Sequence, residues 1–152
     1  MSRPRILLIV AAVAFLAWLS WLAVAVAQKG KSPVISRGQL TAATHLLVLE
    51  VRVGEDGLPK AEARVTRVLK GEGIAVGSTI EIGNLPSALP PGATGFPGPG
   101  EYLAPIVLDG ETVRIAGLPR SPGYESSSGV RPSVYVWNAA TEAQLRGLGV
   151  MP

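Results

Sequence analysis

A chain of 152 residues with 18 glycines, 13 prolines and 5% aromatics has room for one small domain, turn-rich rather than helical. It has no cysteine, which excludes disulfides, thiolate metal sites and cysteine nucleophiles and is compatible with an oxidising compartment. The formal charge of +3 does not point to nucleic acid: Arg3, Arg5, Lys29, Lys31 and Arg37 flank one hydrophobic segment, and without them nine basic residues face 11 acidic ones, a balance of −2.

That segment, Ile6 to Ala27, follows a basic tail (1–5) and has Ser20 as its only polar residue. As a helix it extends about 33 Å, just over the bilayer hydrocarbon thickness of about 30 Å. It has no polar face to turn to water. We therefore expect a transmembrane signal-anchor that contacts membrane lipid through Ile6 to Ala27. Ala25-Val26-Ala27 is an A-x-A cleavage pattern, so the alternative is a protein secreted after cleavage at Ala27. The apolar run is longer than a signal-peptide core, and Trp18 and Trp21 suit the outer interface, which favours retention. The positive-inside count is nearly balanced. The short basic tail before a long apolar run is the export pattern, so the C-terminal domain is expected on the extracytoplasmic side.

Residues 28–38 read as a polar linker, and the domain is expected over 39–152. A short helical turn is expected at Gln39 to Thr44. His45 to Val53 alternates as a strand, with Leu47, Leu49, Val51 and Val53 on one face and Val48, Glu50 and Arg52 on the other. Gly54-Glu55-Asp56-Gly57 is a hairpin turn. Lys60 to Lys70 is the second strand. Its alternation slips at Arg67, and a bulge near Thr66-Arg67 would restore the phase. Ser78 to Ile82 is a third strand. Asn84 to Gly100 is too rich in proline and glycine for regular structure.

Glu101 to Leu108 is the fourth strand, with Pro105 marking an edge or bulge. Asp109-Gly110 turns into a fifth at Thr112 to Ala116. Leu118 to Pro132 is a polar loop, and Val134 to Trp137 a short strand. Thr141-Glu142-Ala143-Gln144 has the form of a capping box opening a short helix. Five to six strands with hairpin turns and a short C-terminal helix predict a mainly β fold, a small, partly open β-barrel, which strand spacing alone does not distinguish from a sandwich.

Four stretches, LLVLEVRV (46–53), ARVTRVLKG (63–71), GSTIEI (77–82) and PGEYLAPIVL (99–108), follow one pattern. An apolar strand leads to V-x-x-V-L-K-G, then G-x-x-I-x-I, then G-E-x-Y-L. Over Thr41 to Ala116 this resembles the OB-like barrels of secreted bacterial domains related to tissue inhibitors of metalloproteinases and netrin modules. The resemblance implies a fold. The family's inhibitors act through an N-terminal cysteine that chelates the protease zinc, and this chain offers none.

The chemical inventory is sparse. His45 is the only histidine, so a metal site would lack a second imidazole or a thiolate. A structural or solvent-facing role is expected for it. Ser126-Ser127-Ser128 lies in a loop with no base marked nearby. Glu81, Glu101, Asp109 and Glu111 sit at strand ends and turns, where solvated acids are usual. Arg64, Arg67 and Lys70 lack the aromatic platforms of an OB nucleic-acid groove, leaving Tyr102 alone. Tyr135 and Trp137 either form a partner-binding patch or seat the C-terminal helix, and the second is expected. The sequence thus assigns no catalytic, cofactor-binding or metal residues and no cofactor. The expected function is a membrane-anchored binding or envelope-assembly module, with a possible envelope protein partner and no nucleic acid. It is not read as an enzyme. The alternative is an envelope hydrolase or a protease-inhibitor-like module.

Overall fold

The computed structural model describes residues 3–29, 34–110, 112–117 and 131–151. It separates into two units, Met1–Pro33 and Val34–Pro152. The first holds helix α1, Arg3–Lys29. Its Leu8–Val26 stretch is long and apolar enough to cross a membrane. The helix outruns the apolar segment at both ends because nothing breaks it there. Pro4 occupies the first turn, where a missing N–H costs no hydrogen bond. Leu16, Trp18 and Trp21 stand exposed, and Ser20 returns its hydroxyl to the Leu16 carbonyl at 2.8 Å. The one polar side chain of the apolar run is thus satisfied within the helix.

The second unit is mainly antiparallel sheet. Helix α2 (Arg37–Ala42) leads to β1 (His45–Val53), β2 (Pro59–Lys70) and β3 (Thr79–Glu81). A single 3₁₀ turn at Leu85–Ser87 follows. Then come β4 (Gly100–Asp109), β5 (Thr112–Ile115), β6 (Tyr135–Val136) and helix α3 (Ala139–Gly147). The six-stranded sheet runs β3-β2-β1-β4-β5, with β6 also on β4. The β1–β2 turn is the expected one: Gly57 has φ 75°, and the Asp56 carboxylate accepts from Leu58 N–H at 3.0 Å. Gly110, at φ 60°, turns β4 into β5.

The slip in β2 is a bulge. Val48 opposes Arg67 while Leu49 opposes Val65, so Thr66 is the extra residue, and its hydroxyl donates to the Val48 carbonyl at 3.1 Å. Val68 thereby returns to the core side opposite Leu47. One face of the sheet carries the larger core, including Leu47, Leu49, Val51, Val65, Ile106 and Val134. The other face carries a second core, where Leu46 and Leu103 meet Leu40 of α2, Leu145 of α3 and Tyr135.

Several details depart from the sequence reading. Val48, expected beside Glu50 and Arg52 on the polar face, is fully buried. Pro105 is not at an edge. Its pairing with β1 is continuous, and on the other side β4 passes from β6 at Tyr102–Leu103 to β5 at Ile106–Asp109. Pro105 falls in that changeover, where its carbonyl accepts from Ala116 N–H at 2.7 Å. The Asn84–Gly100 stretch contains the 3₁₀ turn, begun at Leu85 with Pro86 following. The capping box does not form. Asn138 caps α3, accepting from Thr141 N–H at 2.9 Å, while the buried Thr141 donates to the Val136 carbonyl. Gln144 accepts from Ile35 N–H instead of covering an N-terminal amide.

The segment after β3 reaches the opposite end of the strand order. Gly83 N–H donates to the Val113 carbonyl at 3.1 Å. Asn84 brackets Ile115, accepting from its N–H at 2.7 Å and donating to its carbonyl at 3.1 Å.

Candidate functional site

Three places on the second unit gather polar or open surface, and each follows from what does or does not cover the sheet. The first is the half of the second face that no helix covers. Pairing sets its side chains in rows. Glu81 opposes Glu62, and Thr79 opposes Arg64, which opposes Glu50, which opposes Glu101. A shallow cavity of about 200 Å³ lies here, lined by Glu50, Arg52, Lys60, Glu62, Arg64 and Thr79. The carboxylates of Glu62 and Glu81, and of Glu50 and Glu101, stand directly opposite one another, which costs stability. Glu50 and Arg64 are opposite in register, yet the ion pair found among the described residues is Glu142–Arg146 on α3. These charges face water unpaired by other described residues.

The second is a cavity of about 450 Å³ along the β4–β5 hairpin. Its wall includes Asn84, Ser87, Asp109, Arg114, Gly117 and Pro132. Two of these polar groups already serve the backbone. Asn84 holds Ile115, and Ser87 donates to the Asn84 carbonyl at 2.9 Å. The third is an apolar groove beside α2, taken up below.

The residues singled out from sequence separate. His45 is buried and bonded at both ring nitrogens, to the Glu72 carbonyl at 2.8 Å and the Thr44 hydroxyl at 2.9 Å. A carbonyl only accepts, so Nε2 carries the proton there. The ring lies on Gly71, where an added Cβ would stand 2.1 Å from it. His45 is therefore a fastener between β1 and the β2–β3 connection. Arg64 joins the charged face, Arg67 lies over the Trp137 ring at 5.6 Å, and Lys70 donates to the Ala43 carbonyl at 2.8 Å. They do not form one groove. Glu81 and Glu101 lie in separate rows with different partners, and Asp109 is at the other end of β4. Glu111 and Ser126-Ser127-Ser128 lie outside the described residues.

Tyr135 sits in the second core, 1% exposed. Its hydroxyl donates to Gln39 Oε1 at 2.7 Å and accepts from Ser36 N–H at 3.1 Å. Gln39 Nε2 donates in turn to the Ala116 and Ser133 carbonyls. Burial pushes the Tyr135 phenol above its ordinary value, and the Ser36 N–H opposes this. Burial likewise raises Tyr102, whose hydroxyl donates to the Gly98 carbonyl and whose ring lies 4.8 Å from that of Phe96. Tyr135 and Trp137 both pack with Leu145 of α3 in the second core, which is the seating role expected of them. Sequence reasoning missed Gln39 and Asn84. Each is a lone amide that belongs to no motif, and only the fold supplies its carbonyl partners.

Among the described residues, no three histidine, aspartate or glutamate side chains come together as a metal-holding group. The chain matches no protein-family model, no curated protein and no solved structure.

Proposed function

We propose that this protein is a membrane-anchored binding module whose domain is a partly open, OB-like β-barrel on the extracytoplasmic side, offering the charged half of its outer face to an envelope protein. The barrel reading is supported by the strand order β3-β2-β1-β4-β5 and by the Gly83 and Asn84 hydrogen bonds that tie the β3 end of that order to β5. The extracytoplasmic reading rests on the basic tail ahead of α1.

The observation that carries the binding reading is the division of one sheet face. Where α2 and α3 lie, the face is a core. Where they do not, it presents unpaired charges of both signs in opposing rows. Mixed charge at fixed spacing complements another protein surface, whereas the glutamates repel a polyanion. Binding rather than catalysis is favoured because, among the described residues, the one imidazole, His45, is bonded at both nitrogens.

Capture from detergent-solubilised envelopes tests this. Tagged full-length protein is compared with the Arg52→Glu/Arg64→Glu variant. A partner retained by the first and lost by the second, with unchanged melting, is the expected result. Identical capture by both would overturn the assignment of the face. Topology is read separately by an alkaline phosphatase fusion after Pro152, expected to be active. An inactive fusion beside an active cytoplasmic reporter would reverse the orientation.

A further inference from the structure

The groove beside α2 has no part in that reading. Two neighbouring cavities, of about 250 and 430 Å³, share Leu40, Thr41 and Val150. Their floor is apolar. Leu40 and Leu46 belong to the second core, and Leu69 and Val150 pack half-buried against it. A cation stands at each side. Exposed Arg37 lines the smaller cavity, and exposed Lys70 the larger. Lys70 donates one N–H to the Ala43 carbonyl, which holds the ammonium at the rim and leaves its other donors free. Among the described residues, no carboxylate lines either cavity.

An apolar trough between two cations is complementary to an amphiphile with an anionic head. The chain fixes where such a molecule would come from. α2 is the first element after α1, and residues 30–36 between them extend at most about 25 Å. If α1 is a membrane anchor, the groove stays within reach of the bilayer that holds it. We propose that this groove docks anionic phospholipid of that bilayer, with acyl or glycerol carbons over Leu40, Leu46, Leu69 and Val150 and phosphate against Arg37 and Lys70. The proposal rests on the anchor reading and is independent of which side the domain occupies, since a phospholipid headgroup is available on both.

The test uses the full-length chain in nanodiscs of phosphatidylcholine alone and of phosphatidylcholine mixed with phosphatidylglycerol, followed by amide hydrogen exchange. Leu40 to Ala43, Leu69 to Lys70 and Leu148 to Val150 should exchange more slowly in the anionic discs, by about fivefold for each cation engaged. Arg37→Glu/Lys70→Glu should abolish the difference, and Arg131→Glu should preserve it. Unchanged protection of β1 and β4 certifies that the double variant is folded. Arg37→Gln/Lys70→Gln serves if it is not. Equal exchange in both discs, or a difference that survives removal of both cations, would overturn the proposal. A chain that elutes apart from the discs would overturn the anchor reading instead. The same exchange comparison on vesicles of the two compositions would then decide the groove.

Discussion

The two halves of β1 differ although one alternating sequence runs through both. From His45 to Leu49 every side chain is buried, on both faces of the sheet. From Glu50 to Val53 only Val51 is, and Arg52 is exposed. The core-side residues Leu47, Leu49 and Val51 behave alike throughout. The change is on the second face, where α2, β6 and α3 bring Leu40, Tyr135 and Leu145 over the first half and stop short of the second. A strand residue is thus buried or exposed according to what is packed over its row. One strand serves as the centre of two cores at one end and as the floor of a charged surface at the other.

The largest expected effects probe the doubly buried half. Leu49→Asp places an unpaired charge in the larger core, and Val48→Asp does so on the opposite face. Each should cost several kcal/mol, comparable with the whole stability of a small domain, about 5–15 kcal/mol. Near-ultraviolet circular dichroism of the full chain in detergent should show loss of tyrosine signal in both. A mild Val48→Asp would mean that the second face is not sealed at that residue.

Next comes the fastener at its start. Gly71 has φ 100° and meets the His45 ring, so Gly71→Ala combines backbone strain with a clash. A cost of about 1–3 kcal/mol is expected in thermal melts, with Gly73→Ala, which meets nothing within 4 Å at φ 86°, costing less. Equal losses would place the whole effect in backbone strain and remove the ring from the account.

Tyr135→Phe then tests what seals the second core. It leaves the Ser36 N–H and Gln39 Oε1 without their partner, at about 1–3 kcal/mol. It also bears on alkaline stability. An unfolded tyrosine ionises near pH 10, while native Tyr135 keeps its proton to higher pH. Its contribution is whole below about pH 10 and is lost as pH rises through the native value. The melting temperature of the parent protein should fall across that range. Tyr135→Phe should show a shallower fall, with Tyr102, also raised by burial, contributing to what remains. An unchanged slope would mean that Tyr135 titrates alike in both states.

The smallest effect sharpens the contrast at the other end. Arg52→Asp, on the same face as Val48 but beyond the helices, should shift stability by less than about 0.5 kcal/mol. A loss as large as that of Val48→Asp would mean that the second face is covered along its whole length.

Much of this architecture is local and was legible in the sequence. The apolar run of α1 needs no partner to declare itself, because its length and the lack of a polar face are read directly from composition. The hairpin turns follow from Asp56-Gly57 and Asp109-Gly110, since glycine alone takes positive φ freely. The bulge at Thr66 follows from counting, because alternation has a period of two and one residue too many must leave the ladder. Tertiary structure decided the rest. Thr141 looks like a cap, but Asn138 takes the end of the helix by accepting from Thr141 N–H, and the Thr141 hydroxyl, buried one turn in, donates to the Val136 carbonyl. Val48 reads as outward, yet in the folded sheet, between Arg67 and Leu103, it is fully buried. Pro105 reads as an edge until the strand beside it changes partner at that residue. Gln39, Asn84 and the cations around the α2 groove carry no signature along the chain. Their roles depend on carbonyls and apolar walls that only folding brings within hydrogen-bonding or contact distance.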